Sequence, residues 1–162
     1  MATALEIERK FLLKRKPSIE EDDVLKITQH YCKKDGIEFR IRKTATYKGF
    51  QLNHLYHKTI KKFISDGIYE ETENIISKEE YENYKKDFAG TSITKTRYIY
   101  KFGDLKWEVD VFDFGLVVAE IELPSMEHPL ELPGYIAKEL IMEVTKHREF
   151  TNKNLAEIVQ EH

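Results

Sequence analysis

Apolar and charged positions alternate along most of the chain, which is typical of strands with one apolar face and one charged face. In residues 5–13 the odd positions other than 9 are apolar, whereas Glu6, Glu8 and Lys10 share the opposite face. The same alternation predicts seven further strands, at 25–33, 39–43, 52–63, 68–77, 92–102, 105–113 and 116–123.

Short turns containing glycine or aspartate join most of these strands, so successive strands are predicted to form antiparallel hairpins. Residues 17–23 are predicted to form a helical turn and residues 44–50 a loop. Aromatic residues at helical spacing predict a helix over 78–89 that ends at Gly90, and a second helix is predicted over 151–160.

Eight strands in hairpin succession indicate an α+β, mainly β, fold: a closed eight-stranded antiparallel β-barrel with a few flanking helices. Closure is expected because it removes exposed strand edges. The sequence contains no repeat, linker or low-complexity tract, so residues 1–162 are predicted to form one domain.

The composition argues against a disulfide-linked, a membrane-spanning or a nucleic-acid-binding protein. Cys32 is the only cysteine, which excludes an intramolecular disulfide and favours a reducing compartment. There is no export signal and no apolar run of roughly 18 residues, so we expect a cytoplasmic protein that does not engage a membrane. The 26 basic and 29 acidic side chains give a net charge of -3, so nucleic acid is not an expected partner.

Charged residues repeat at positions i and i+2 on several strands, and such pairs project from one face roughly 6.5 Å apart. The acidic pairs are Glu6/Glu8, Glu71/Glu73, Glu108/Asp110 and Glu120/Glu122; the basic positions are Lys10, Arg40/Arg42, Lys61 and Lys95/Arg97. A single pair is usually a solvated sheet face. Like-signed pairs on strand after strand repel each other, however, unless cations and a polyanion lie between them.

The segment Glu6-Ile7-Glu8-Arg9-Lys10 resembles the Glu-x-Glu-x-Lys signature of the CYTH domain, also called the triphosphate tunnel metalloenzyme superfamily. The resemblance continues in order through Phe39-Arg40-Ile41-Arg42, Thr59-Ile60-Lys61, Glu71-Thr72-Glu73, Lys95-Thr96-Arg97, Glu108-Val109-Asp110 and Glu120-Ile121-Glu122. It covers essentially the whole chain and is greatest for the short bacterial inorganic triphosphatases. It implies a tunnel whose charged strand faces turn inward.

The resemblance also implies roles for these residues. Glu6, Glu8 and Glu122 would be the main ligands of Mg²⁺ or Mn²⁺, with Glu120, Glu108 and Asp110 near a second ion or its waters. Lys10, Arg40, Arg42, Lys61, Lys95 and Arg97 would bind the triphosphate. One of Glu71, Glu73 or Glu120 would orient the attacking water, and spacing does not choose among them.

The implied function is a metal-dependent hydrolase that cleaves the terminal phosphate of inorganic triphosphate or a related triphosphate. A class IV adenylyl cyclase and a non-catalytic module that binds polyphosphate or nucleotide remain alternatives. The expected partner is a small-molecule triphosphate or polyphosphate, and a homodimer would cover an apolar barrel exterior. The chain departs from the family pattern in two places: Tyr69 stands where an arginine is common, and Glu149 and Phe150 replace an Arg-Tyr pair.

Overall fold

The computed structural model describes residues 2–160, and antiparallel strands make up most of that range. The strands are β1 (Ala2–Leu13), β2 (Asp23–Lys34), β3 (Ile37–Lys48), β4 (Gln51–Ser65), β5 (Ile68–Ile75), β6 (Ala89–Phe102), β7 (Leu105–Phe112), β8 (Val117–Glu122) and β9 (Leu140–Glu143). The helices are α1 (Lys78–Phe88), α2 (Gly134–Ala137) and α3 (Asn152–Gln160), and a 3-10 turn at Arg148–Phe150 precedes α3.

Eight of these strands close into a barrel. The order is β5, β4, β3, β2, β6, β7, β8, β1, and β1 also pairs with β5. Residues 2–7 of β1 pair with β5, while residues 8–13 pair with β8. Strand β9 adds to β1 at residues 11–13, outside the closed circuit. The predicted closed eight-stranded antiparallel barrel is therefore confirmed, with β9 as an extra strand.

Two large parts of the outer face of the barrel are apolar and covered, while the charged strand faces turn inward. Trp107 and Ile121 on the outer face pack with Ile136 of α2 in a fully buried cluster. On the other side, Tyr81 of α1 packs on Tyr56 at a ring distance of 5.0 Å. Burial of such side chains contributes on the order of 1.5–3 kcal/mol each, so this covered exterior stabilises the barrel.

Helix α1 begins where the sequence provides a cap. The Ser77 hydroxyl accepts a hydrogen bond from the Glu80 backbone N–H at 3.0 Å, and the Glu80 carboxylate accepts one from the Ser77 N–H at 3.2 Å. This reciprocal cap satisfies two donors that the first helical turn would otherwise leave unpaired. The helix ends at Phe88, because Ala89 is already extended and Gly90 belongs to β6.

Helix α3 closes one end of the barrel. Its Leu155 and Ala156 pack against Phe112 and Val118. Those two strand residues pair in register with Lys95 and Asp110 and therefore face the interior. The predicted C-terminal helix is confirmed. Between residues 2 and 160, no helix is long and apolar enough to cross a bilayer.

Several local predictions were wrong. Residues 44–48 continue β3 instead of forming a loop, since Thr44, Thr46 and Tyr47 favour a strand and pair with β4. Residues 17–23 contain no helix. They are held along β6, where the Asp22 N–H donates to Ile99 O at 2.8 Å. The short elements α2 and β9 were not predicted. The one-domain assignment stays a prediction.

Candidate active site

Strand register places every predicted site residue on the inner face of the barrel. Residues directly opposite each other on neighbouring antiparallel strands point to the same side of the sheet. The relevant partners are Glu8 with Glu122, Lys10 with Glu120, Glu120 with Glu108, Asp110 with Arg97, Arg40 with Thr59, Thr59 with Glu73, Lys61 with Glu71, and Glu6 with Tyr69. Arg42 and Lys95 lie on the same inner face, because each is two residues from Arg40 or Arg97 on its strand. The charged residues thus share one interior.

Two lysines each lie between two carboxylates. Lys10 Nζ is 3.7 Å from Glu8 Oε1 and 3.4 Å from Glu120 Oε1. Lys61 Nζ is 3.2 Å from Glu6 Oε1 and 3.7 Å from Glu71 Oε2. Burial alone would raise the pKa of Glu120, but Lys10, Lys95 and Arg97 lower it below its usual range. Glu120 is therefore held as a carboxylate.

Asp110 is the most enclosed carboxylate of the group. Arg97 donates to it from Nε at 2.8 Å and from a terminal nitrogen at 3.0 Å, and Lys95 Nζ lies at 2.6 Å. Another Arg97 nitrogen contacts Glu108 at 2.6 Å. Burial opposes ionisation of Asp110, yet Arg97 and Lys95 lower its pKa. Both oxygens are thus engaged by cations, and its expected place near a second metal ion stays a prediction.

Lys95 is fully buried between its partners. Besides Asp110 it donates to Asn152 Oδ1 of α3 at 3.1 Å. Burial lowers its pKa to about 7, assisted by repulsion from Arg97 and Arg42 and opposed by Asp110. Asn152 had no signal in the sequence, because only the fold brings α3 to the barrel interior.

Arg40 and Arg42 differ from the other interior cations. Arg40 donates to the Thr59 hydroxyl at 3.3 Å, and Arg42 donates from Nε to Gln29 Oε1 at 2.8 Å. Among the side chains described for residues 3–159, no carboxylate lies within ion-pair distance of either arginine, and Arg40 Nε has no partner. Burial and repulsion by Arg40 and Arg97 lower the pKa of Arg42 to about 9. Such a pair attracts anions.

Sequence reasoning based on charge missed Gln29. It is completely buried and fixes the Arg42 side chain, while its amide nitrogen donates to the Tyr31 hydroxyl at 3.2 Å. Its position two residues from Tyr31 on β2 marks it as inward-facing only once the register with β3 is known. Neutral residues on the charged face therefore position the cations.

A second group of carboxylates has raised pKa values. Burial raises the pKa of Glu8 to about 8, and the charge of Glu120 adds to the effect. Burial together with Glu71 raises the pKa of Glu6, and burial together with Glu6 and Glu108 raises that of Glu122. Mutual repulsion of this kind is relieved by a divalent cation, and carboxylate oxygens are the ligands that Mg²⁺ and Mn²⁺ prefer.

The chemistry of this donor set fits a hard divalent cation. Glu8 and Glu122 are direct cross-strand partners, and Glu6 precedes Glu8 by one i+2 step on the same face. Within the part of the chain that the structure describes, no three Asp, Glu, His or Cys side chains are already grouped closely enough to hold an ion. Binding would therefore require these side chains to rotate toward a common point.

A cavity of about 500 Å³ opens on this interior beside α3. Its walls include Glu8, Lys10, Arg40, Thr59 and Lys61. Both departures from the family pattern lie near this cavity: Tyr69 lines it, and so does Arg148, the residue before Glu149. Tyr69 faces inward opposite Glu6, and Arg148 precedes Glu149, which pairs with His147 at 3.1 Å. The cavity is large enough for a small-molecule ligand.

Known proteins resemble this chain in sequence and in fold. The inorganic triphosphatase of Acetivibrio thermocellus is 41% identical over 66 residues, which are 39% of this chain and 40% of that protein. The matched segment thus spans less than half the length of that relative.

Solved structures resemble the chain over more of its length. The inorganic triphosphatase NE1496 is 28% identical, with a TM-score of 0.61 over 93% of this chain and 97% of that one. The PH1819 protein of Pyrococcus horikoshii has a TM-score of 0.64 over 97% and 99% of the two chains, and at 12% identity it shows the fold alone. The CYTH domain matches residues 4–157, and the chain therefore belongs to the CYTH domain family.

Proposed function

We propose that this chain is a divalent-metal-dependent hydrolase that cleaves the terminal phosphate of inorganic triphosphate or a related triphosphate inside its barrel. The observation that carries the proposal is the pair Arg40 and Arg42, which lie in the interior, Arg40 buried and Arg42 half-buried, and whose hydrogen-bond partners among the described side chains are neutral. Buried cations are normally paired. A bound anion would supply the missing partner.

The arrangement of cations favours a polyphosphate over a single phosphate. Besides the two arginines, Lys10, Lys61 and Lys95 lie on neighbouring parts of the same inner face. Arginine makes forked contacts to phosphate oxygens, whereas lysine acts as a point charge. Several cations distributed along one tunnel suit several linked phosphate groups. The two inorganic triphosphatases that resemble this chain support the same substrate class.

Glu6, Glu8 and Glu122 are the residues proposed to hold Mg²⁺ or Mn²⁺. When bound, such an ion polarises phosphoryl oxygens and offsets their charge. The pKa values of the three carboxylates are raised by burial and, to a lesser extent, by neighbouring carboxylates, and a bound cation would favour their ionised forms. Glu108 and Asp110 are proposed neighbours of a second ion, although both contact Arg97 here.

The remaining residues position the substrate and water. Arg40 and Arg42 would bind phosphate oxygens, with Thr59 and Gln29 keeping the two guanidinium groups in place. Glu71, Glu73 and Glu120 are the candidates to orient the attacking water. Glu73 accepts a hydrogen bond from Thr59 at 3.2 Å and is thereby linked to Arg40. Positioning and charge stabilisation are the main contributions expected in phosphoryl transfer.

A substrate profile tests the proposed reaction. Purified protein with Mg²⁺ or Mn²⁺ is given tripolyphosphate, ATP or thiamine triphosphate, and both phosphate release and cyclic AMP are measured. We expect phosphate release from tripolyphosphate that stops on addition of EDTA. Cyclic AMP formation from ATP would instead favour a cyclase, and tight binding without any product would favour a binding module.

Two substitutions test the metal assignment. Glu8→Gln and Glu122→Gln are expected to abolish metal-dependent turnover while circular dichroism shows an intact fold. Glu70→Gln is the matched control, because Glu70 is exposed on the same barrel wall as Glu71 but points outward. Near-normal rates in both interior variants would remove the metal assignment.

A further substitution tests the anion site. Arg40→Ala is expected to raise KM for tripolyphosphate, because it removes the buried cation that lacks a carboxylate partner. An unchanged KM and kcat would contradict the assigned role.

A further inference from the structure

One cation at the rim of the cavity is held by an aromatic ring. The Arg148 guanidinium lies 4.0 Å from the centroid of the Phe63 ring. Phe63 in turn packs edge-on against Tyr69 at 5.8 Å between ring centroids. A cation over an aromatic face is stabilised by the ring without being neutralised. The charge of Arg148 therefore stays available to another anion.

Two acidic residues near this position have other partners. Glu149 Oε1 lies 3.1 Å from His147 Nδ1, and Glu38 lies 2.6 Å from Lys153 Nζ. Across residues 3–159, whose side chains the structure describes, no carboxylate comes within ion-pair distance of Arg148. It differs in this respect from Lys153, another cation that lines the same cavity.

The backbone of Arg148 is fixed as well as its side chain. Its carbonyl oxygen accepts hydrogen bonds from the Thr151 hydroxyl at 2.9 Å and from the Asn154 side-chain amide at 2.7 Å. Thr151 directly precedes α3 and Asn154 lies in its first turn, and this helix packs against the barrel interior. Because both its backbone and its guanidinium group are held in place, Arg148 would lose little conformational freedom when it binds a ligand.

The position of Arg148 continues the cations of the interior. Arg148 lines the same cavity as Lys10, Arg40 and Lys61. Lys61 Nζ lies 5.3 Å from the Tyr69 ring centroid, so Lys61, the Tyr69–Phe63 pair and Arg148 follow one another from the interior to the rim. A linear polyphosphate held by the inner cations would extend toward this residue.

We propose that Arg148 is a further substrate-binding residue, which contacts the phosphate group nearest the rim of the cavity. This inference rests on the proposed function. Phe63 is then a positioning residue, since it orients the guanidinium and touches no phosphate. The competing interpretation is that Arg148 only covers the Phe63 ring and contributes packing.

Equilibrium binding without turnover separates these interpretations. Tripolyphosphate is titrated calorimetrically into the full chain in EDTA, and the thermal midpoint of each variant is recorded. Arg148→Gln is expected to weaken binding about 10-fold, in line with loss of one charge-assisted contact. Arg148→Lys should recover part of the loss, because the charge is kept and the fork is not.

The chain offers a matched control and a second probe. Lys153→Gln removes a cation from the same rim, but one already paired with Glu38, so binding should change less than about 2-fold. Phe63→Leu keeps the Arg148 charge but removes its platform, and should give an intermediate loss. In the Arg148→Gln background, Phe63→Leu should cause no additional loss of binding.

The outcomes distinguish this inference from the function on which it rests. Wild-type binding by a folded Arg148→Gln variant, together with weakened binding by Arg40→Ala, would overturn the role of Arg148 alone. Wild-type binding by both variants would contradict the proposed function itself. Should Arg148→Gln fail to fold, Arg148→Met takes its place, and wild-type binding by a folded Arg148→Met variant would equally overturn the inference.

Discussion

The turn between β4 and β5 presses against β1 at Glu8, and Gly67 permits that approach. Gly67 has φ +79°, and its carbonyl oxygen accepts the Glu8 N–H at 2.8 Å. One edge of β1 pairs with β5 up to Ile7 and with β9 from Phe11 onward. The turn contacts the part of this edge that lies between the two pairings. A Cβ on residue 67 would lie 2.6 Å from the Glu8 carbonyl oxygen. The glycine thus fixes the backbone of a proposed metal ligand.

Gly36 provides the comparison that isolates this contact. It also has φ +79°, but a Cβ there would meet nothing within 4 Å. Gly36→Ala should therefore cost only the left-handed backbone strain, about 1–2 kcal/mol. Gly67→Ala adds the forced displacement of packed backbone, which typically costs about 1–3 kcal/mol more. The difference between the two variants measures the close approach.

Urea unfolding gives the two free energies, and a Mg²⁺ titration of phosphate release gives the effect on the site. We expect Gly67→Ala to raise the half-saturating Mg²⁺ concentration several-fold, because Glu8 must move or lose its hydrogen bond to the turn. Gly36→Ala should titrate like the wild type. Equal destabilisation of the two variants would refute the importance of the contact. Equal Mg²⁺ titrations would show that the turn does not position Glu8.

Two further perturbations test the interior charges. Asp110→Asn should lower the free energy of unfolding by about 3–5 kcal/mol, because it leaves Lys95 and Arg97 buried beside a neutral amide; Glu108→Gln, at a side chain that is 19% exposed, should cost clearly less in the same urea experiment. The pKa of Glu8 is raised to about 8, so the folded state holds this proton more tightly than the unfolded state does. Stability relative to Glu8→Gln should therefore fall by on the order of 3 kcal/mol between pH 5 and pH 8 in EDTA, and Mg²⁺ should reduce the fall; a flat difference across that range would contradict the burial of this carboxylate.

The alternation of charge predicted which residues share the interior, but not which of them make contact. A period of two assigns Glu108 and Asp110 to one face whatever the neighbouring strand is. Arg97 contacts both carboxylates because β6 pairs with β7 in a register that places Arg97 opposite Asp110. The sequence contains no direct measure of that register. The expected ligand role and the observed ion pair differ for this reason.

The predictions of secondary structure were wrong at the β3–β4 connection and missed the short strand β9. The β3–β4 connection was predicted as a seven-residue loop from its Thr, Lys and Gly content, yet Lys48 pairs with Gln51 and only Gly49 and Phe50 form the turn. Strand β9 has four residues, too few to display alternation, and it exists because residues 11–13 of β1 offer an edge. Tertiary pairing decided both cases.

The interior charges are better explained by function than by stability. Ion pairs removed from water are often no more stabilising than apolar residues of the same size, and here the covered outer face already supplies an apolar core around Trp107 and Ile121. A barrel selected for stability alone would fill its interior with such residues. Instead, Arg40 and Arg42 remain without carboxylate partners among the described side chains, while Glu8 has a pKa that burial raises to about 8. Both imbalances oppose folding unless an anion binds the first group and a cation the second, which is the arrangement that metal-bound triphosphate would provide.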